Sequence, residues 1–512
     1  MRGVVAASGR AQATVLGITA LLLSLHAKPA AAYDARVDAS FDAQLYSLAS
    51  PFGSPYLYRR RYTSTLGLEL DDLQGERTRR GPRVNFRSRL RVDGDFGHDF
   101  AEHNPNSNRY VPGLPQAPLD VMYAYFDGRG FVNGLFNLRF GRQYLIDALG
   151  YWSFDGALVE AMLPIRLMLS GFVGFEQRAG FPMLASGRFT SDGVWRGDRS
   201  GLELNRYPGF LDDTALAPAR GVALETWGFK SFHSRLSYRR VDNRSKVLVS
   251  LYPDPDQPLR FVSGTRTSSE RLGYSARLDL DKLGALSARA AYDLYNRAVS
   301  DALLSLDVYA PANCIVGADV DYYYPTFDGD SIFNFFTHRG MTTATGRISM
   351  LSKGALSATA SGGARWYATS GAPDVFASQQ ENGSASRTTA VAPDWLMQLG
   401  GRYRFGPSSV SLDFAAQNGE LGRRVGGDLT TRRVFEGGRI DSMLITSLYD
   451  WDDPLRPSRS ATSFTYVLGA GFRPGQTFGS RGRIGVEWEH SMNRLVGQRM
   501  RVLMTIDFTV LK

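Results

Sequence analysis

The sequence predicts an all-β protein, a single large antiparallel transmembrane β-barrel of about 18 to 24 strands. Three observations predict it. Run after run of residues alternates apolar and polar with period two, the mark of strands with one oily and one wet face. Nothing after Ala32 offers the ~18 consecutive apolar residues of a membrane helix, so any membrane embedding is by strands. The final stretch, Met500 to Lys512, sets Met500, Val502, Met504, Ile506, Phe508 and Val510 against mostly polar neighbours. Left open, such a strand would invite aggregation; as the closing strand of a barrel it pairs with the first and faces lipid.

The first residues point to export. Arg2 and Arg10 supply positive charge ahead of an apolar core from Ala13 to Leu25, followed by Lys28, Pro29 and the small residues Ala30, Ala31 and Ala32. That order is expected of a secretory signal over residues 1–32, cleaved to leave a barrel over 33–512. Its removal leaves 56 basic and 50 acidic residues, a net charge of +6. Only six of the 59 basic residues are Lys, which fits either a codon bias towards Arg or a pore wall of guanidinium groups. One cysteine, Cys314, excludes an intrachain disulfide and a cysteine-rich metal site. Aromatics at 12 % and 54 glycines suit a barrel, with aromatic girdles at the headgroups and Gly where curved strands crowd.

Taken in order, the first strand places Val37, Ala39, Phe41, Ala43 and Leu45 opposite Asp38, Ser40, Asp42 and Gln44, and ends in a turn with Pro51, Gly53 and Pro55. The next sets Tyr62, Ser64, Leu66, Leu68 and Leu70 against Arg61, Thr63, Thr65 and Glu69. Residues 84–93 alternate most clearly, with Val84, Phe86, Leu90 and Val92 on one side and Asn85, Arg87, Arg89, Arg91 and Asp93 on the other. Three arginines on one strand face need water or acids, because a buried charge needs a partner; a barrel lumen offers both. A polar loop near 94–118 leads to a hairpin of Leu119–Asp127 and Leu135–Leu145, then a strand over Ile165–Glu176. A long irregular stretch near 177–220 is expected to be an outer loop or a lumen plug. Later strands carry Arg277, Arg289, Asp319 and Asp321, Arg347 and Arg402 on their polar faces, with further long loops near 325–340 and 368–393. Counted upward from a periplasmic N-terminus, the long connections follow upward strands. Tight turns at 282–284, 352–354 and 406–408 follow downward ones, the asymmetry of outer-membrane barrels.

Within the hairpin region, Arg139-Phe140-Gly141-Arg142-Gln143 and the following Asp155-Gly156 resemble porin-like barrels of the Gram-negative outer membrane, and more distantly alginate-export-type barrels. The resemblance implies an integral outer-membrane protein meeting lipid and lipopolysaccharide. It also implies the barrel-assembly machinery during biogenesis and, for an export barrel, periplasmic export partners.

Catalytic and nucleic-acid signatures are weak. His98 and His103 share a loop with Asp99 and Glu102, but a spacing of five is not the helical His-x-x-x-His of a zinc face. His490 and Ser491 are neighbours on a strand and point to opposite faces. No Gly-x-Ser-x-Gly elbow or phosphate loop occurs, so neither catalytic residue nor cofactor is expected. The arginines are spread among acids rather than gathered into one phosphate-tracking patch, which argues against nucleic acid. The expectation is a hydrophilic path lined by Arg87, Arg89, Arg91, Arg139, Arg277, Arg289, Asp319, Asp321, Arg347 and Arg402, serving anionic or sugar-like solutes or a secreted polysaccharide. The alternative is a closed structural or docking barrel serving a cell-envelope machine.

Overall fold

The computed structural model describes residues 34–49, 55–75, 81–95, 120–177, 217–243, 246–248, 261–263, 265–311, 313–326, 340–351, 355–368, 392–419, 422–452, 460–474, 480–494 and 497–511. The strands are β1 (Asp34–Ala49), β2 (Pro55–Asp71), β3 (Arg83–Asp95), β4 (Asp120–Gly130), β5 (Phe136–Asp147), β6 (Gly150–Leu163), β7 (Leu167–Glu176), β8 (Pro218–Thr226) and β9 (Phe232–Asn243). A small separate hairpin, β10 (Lys246–Leu248) with β11 (Phe261–Ser263), lies in the connection that follows. The wall resumes with β12 (Arg266–Asp279), β13 (Gly284–Asp293), β14 (Ala298–Ala310), β15 (Cys314–Tyr323), β16 (Met341–Leu351), β17 (Leu356–Tyr367) and β18 (Asp394–Phe405). It ends with β19 (Ser408–Gly419), β20 (Gly422–Phe435), β21 (Ile440–Asp452), β22 (Ser460–Phe472), β23 (Ser480–Asn493) and β24 (Gly497–Leu511).

Each wall strand pairs antiparallel with its neighbours in sequence, and β24 pairs with β1 from Arg36 opposite Leu511 to Ala49 opposite Gln498. The sheet of 22 strands is therefore closed, an even number inside the predicted range. Closure removes both edges, which is what lets a sheet sit in hydrocarbon.

Register sorts the faces. Directly opposed residues share a face, so Ala39 opposite Phe508 and Leu66, and Phe41 opposite Ile506 and Ser64, give one outer surface. The same surface continues through Leu90, Phe126, Leu138, Val159, Leu224, Leu304, Val320, Ile348, Leu399, Leu412 and Leu468. From Phe126 onward these side chains are exposed in the isolated chain, and together the run forms the lipid belt. Trp366 and Trp395 border it at one end; Trp227, Phe232, Phe435 and Phe472 border it at the other, the paired girdles of a membrane barrel. The protein is an integral barrel of the Gram-negative outer membrane.

The connections between strands at residues 96–119, 177–217, 244–265, 324–340 and 368–393 all leave the end opposite Asp34 and Leu511. Those at 164–166, 280–283, 311–313 and 406–407 lie at the same end as these two residues, which is thereby the periplasmic end. The segment 1–32, expected as a signal, and most of the predicted long loops fall outside the described residues. Pro218, Ala219 and Arg220, predicted as loop, instead open β8. The predicted hairpin near 119–145 is found as β4 and β5, ending at Gly130 and Asp147, slightly beyond the predicted Asp127 and Leu145.

Candidate functional site

The wall is doubled over one sector of the lumen. β4 and β5 stay in register only as far as Ala124 opposite Arg142, and β6 and β7 only as far as Phe154 opposite Glu176. Between these limits β5 and β6 continue together to Asp147 opposite Gly150, as a two-stranded ribbon that leaves the wall. Its tip reaches the inner face of β12. Gly273, between the outward Leu272 and Tyr274, faces inward, and a Cβ placed there would lie 2.7 Å from Leu149 Cγ and 3.3 Å from Ala148 Cβ.

Two glycines allow the bend. Gly141 has φ +124°, and a Cβ on it would approach the Ala124 carbonyl oxygen to 2.3 Å. Opposite it stands Gly156, whose Cβ would approach the Val173 oxygen to 2.2 Å. Next to this pair, Arg142 grips Asp155 in a fork of two 2.7 Å hydrogen bonds and donates a third, at 2.9 Å, to the Val121 carbonyl. The Gly-Arg-Gln and Asp-Gly residues that suggest a family resemblance thus build the base of the inward ribbon.

The ribbon's two faces differ. One packs Leu145, Trp152 and Phe154 against Leu158, Phe172, Ala217, Ala219 and Val241 of the inner wall. Trp152 and Phe154 stack at 4.7 Å, the Arg239 guanidinium lies 5.0 Å over the Trp152 ring, and the Trp152 N–H donates to Glu176 at 2.9 Å. Each fully buried large apolar side chain here supplies about 1.5–3 kcal/mol, so the ribbon is a fixed second layer. The other face carries Tyr144, Ile146, Tyr151 and Ser153 towards the open lumen, where Ile146 is 72 % and Tyr151 66 % exposed. The tip is set by Asp147, whose carboxylate accepts the Leu149 N–H at 2.8 Å. Between tip and wall, Asp147, Leu149, Arg271, Arg289, Asp301 and Tyr323 surround a cavity of about 340 Å³.

Beside the ribbon's base stands the arginine row. Arg87, Arg89 and Arg91 lie at alternate positions of β3 on the face opposite Phe86 and Leu90, hence towards the lumen. Arg87 stands opposite Glu69 on one side and Tyr125 on the other, and its closest ion pair among the described residues is 3.9 Å, to Asp71. Arg89 stands opposite Tyr123 and donates to the Thr65 hydroxyl at 3.1 Å. Arg139 joins them, 5.2 Å over the Tyr125 ring and 3.8 Å from Asp127.

The remaining sequence-predicted residues share the lumen face by register but are dispersed from this row. Arg277 pairs with Asp279 at 2.9 Å, and Arg289 forks onto Asp301. Arg347 sits between Asp307, at 2.6 Å, and Asp319. Asp321 faces Arg289 and Arg365, and Arg402 reaches the Ser409 hydroxyl at 3.4 Å. These carboxylates offset most of the positive charge on that side. Arg499 and Arg501, not singled out from sequence, likewise converge on the buried Glu489. Opposite-sign partners on adjacent strands explain the difference: register brings together acids and bases that are far apart in the chain.

Sequence reading missed the inward ribbon and its tyrosines. A signal was present. In Tyr144-Leu145-Ile146 and Tyr151-Trp152-Ser153-Phe154 both alternating faces carry large apolar side chains, which a strand facing lipid on one side and water on the other does not need.

No protein-family model and no curated protein matches the chain. Among solved structures, it is similar to OccAB4 of Acinetobacter baumannii at 7 % identity, covering 94 % of this chain and 98 % of that one, with a TM-score of 0.42. It is similar to the outer membrane protein opdK from Pseudomonas aeruginosa at 8 % identity, covering 94 % and 99 %, with a TM-score of 0.39. OpdQ of the same organism matches at 8 % identity over 93 % and 99 %, with a TM-score of 0.40. At these identities and scores the likenesses bear on no residue or solute of this chain.

Proposed function

We propose that the barrel is a selective channel for anionic solutes, narrowed by the β5–β6 ribbon and biased by the Arg87–Arg89–Arg91 row. The observation that carries this reading is the contrast of Arg87 and Arg89 in that row with four other lumen arginines. Arg289, Arg347, Arg499 and Arg501 are held by close carboxylates, whereas Arg87 and Arg89 have no such close partner among the described residues. Guanidinium groups at i, i+2 and i+4 of one strand stand about 6.8 Å apart along it, a spacing that lets one carboxylate pass from each to the next. Low-dielectric walls focus such a field, so anions concentrate in the lumen and cations are repelled.

Liposome swelling with solutes of matched size tests the reading. Anionic solutes are expected to enter faster than neutral ones and neutral faster than cationic, with the order flattened in the Arg87→Gln, Arg89→Gln, Arg91→Gln variant. Equal entry of all three into wild-type liposomes would reject charge selection by this row.

A further inference from the structure

Charge selection by the arginines leaves the neighbouring tyrosines unused. We infer that Tyr123, Tyr144 and Tyr151 form a stacking track for chains of pyranose rings, so that linear oligosaccharides are a substrate class of this lumen. The inference deepens the channel function proposed above and rests on it.

The rings make a continuous run. Tyr125 and Tyr123 of β4 are 5.9 Å apart, Tyr123 and Tyr144 of β5 are 5.7 Å apart, and Tyr144 and Tyr151 of β6 are 5.8 Å apart and near-parallel. Tyr125 is the covered base, under the Arg139 guanidinium; from it the run climbs through the half-buried Tyr123 and Tyr144 to the exposed Tyr151 at the lumen face of the ribbon. The run therefore crosses from the barrel wall onto the inward layer without a break.

Packing does not account for these side chains. The same ribbon buries Trp152 and Phe154 on its other face, yet leaves Tyr151 two-thirds exposed to the lumen. Two lumen tyrosines elsewhere tie their hydroxyls to carboxylates, Tyr367 to Asp394 at 2.7 Å and Tyr449 to Asp428 at 2.6 Å. The hydroxyls of Tyr144 and Tyr151 make no hydrogen bond to any described residue. Each thus presents an unused donor, and Tyr151 an exposed ring as well.

A pyranose matches that pair of properties. Its C–H face stacks on an aromatic ring, while its equatorial hydroxyls bond at the ring's edge to groups such as the tyrosine hydroxyls, Ser153 and Arg89. Several rings at even spacing serve a ligand that is itself a chain of rings; a small compact anion touches one ring at a time and gains nothing from the repeat.

The test is calorimetric titration of the full chain, refolded in detergent, with maltohexaose as the neutral probe and hexagalacturonate as the acidic one. Both hexamers are expected to bind, and maltohexaose more tightly than maltose. The Tyr144→Ala, Tyr151→Ala double variant is expected to lose roughly tenfold in affinity, the amount two aromatic contacts supply. Tyr144→Phe, Tyr151→Phe is expected to keep most of the binding, because the ring faces remain. Absence of heat with both hexamers, or equal affinity of wild type and the alanine variant, overturns the track. Tighter binding of the acidic hexamer is expected from the arginine row. Equal affinity for the two hexamers, lowered alike by the alanine variant, leaves the track standing and counts against the anion reading alone.

Discussion

Three residues decide whether the ribbon can leave the wall. Gly141 and Gly156 stand opposite one another where β5 and β6 turn inward, each with backbone where a Cβ would go. Backbone cannot step aside as a flexible side chain can, so Gly156→Ala is expected to lower the yield of folded barrel markedly. The heat-modifiable mobility of the barrel on gels measures this, and a wild-type yield would show that the bend tolerates a methyl group. Arg142 acts differently, as a clamp on Asp155 and on the Val121 carbonyl. Breaking a buried pair costs about 3–5 kcal/mol; with the Asp155 carboxylate about a third open to solvent, Arg142→Ala is expected to cost about 2 kcal/mol. Urea unfolding of the refolded barrel reads it as a lower midpoint, and an unchanged midpoint would remove Arg142 from the account of the ribbon's base.

At the scale of elements, the ribbon is a second layer seated on the inner faces of β7, β8, β9 and β12. The seat on β12 is narrow enough to test by crosslinking. A Cβ at Gly273 would lie 3.3 Å from Ala148 Cβ, next to the roughly 3.5–4.5 Å that a disulfide spans. The Ala148→Cys, Gly273→Cys pair, in a Cys314→Ser background, is expected to oxidise spontaneously and to leave conductance near that of the reduced form. Failure to crosslink would place the ribbon elsewhere. Strand positions were legible in the sequence because each wall strand obeys period two, as residues 84–93 and 500–510 show plainly. The ribbon was not legible, because β5 and β6 read as ordinary strands and what changes is their partner. Arg139, Gly141 and Asp155 drew notice as a motif, but their work in bending and clamping the chain depends on contacts with Ala124, Val121 and Val173, which sequence does not order.

For the whole molecule, closure was the most legible property. The alternation of Met500 to Val510 matches that of Val37 to Leu45, and the two strands meet in register. The charge balance of the lumen was much less legible. Arg277, Arg289 and Arg347 are expected from sequence to line the path and attract solutes, and the fold gives each a carboxylate from its own or a neighbouring strand. Orientation follows from the lengths of the connections and is open to labelling in intact cells. In the Cys314→Ser background, Asn296→Cys, at the same end as the long connections, is expected to react with a membrane-impermeant maleimide, whereas Lys282→Cys at the periplasmic end is not. The reverse pattern would invert the barrel.

The central claim, an anion-selective path governed by one arginine row, is tested most directly by the reversal potential of single channels under a salt gradient. Wild-type protein in planar bilayers is expected to show anion selectivity that weakens as salt rises, since screening shortens the reach of the row to about 3 Å at 1 M. Replacing Arg87, Arg89 and Arg91 with Gln is expected to bring the reversal potential close to zero, while replacing the paired Arg289 and Asp301 together, which leaves the net charge unchanged, moves it little. Cation selectivity in the wild type, or a reversal potential unchanged by the triple replacement, would contradict the account.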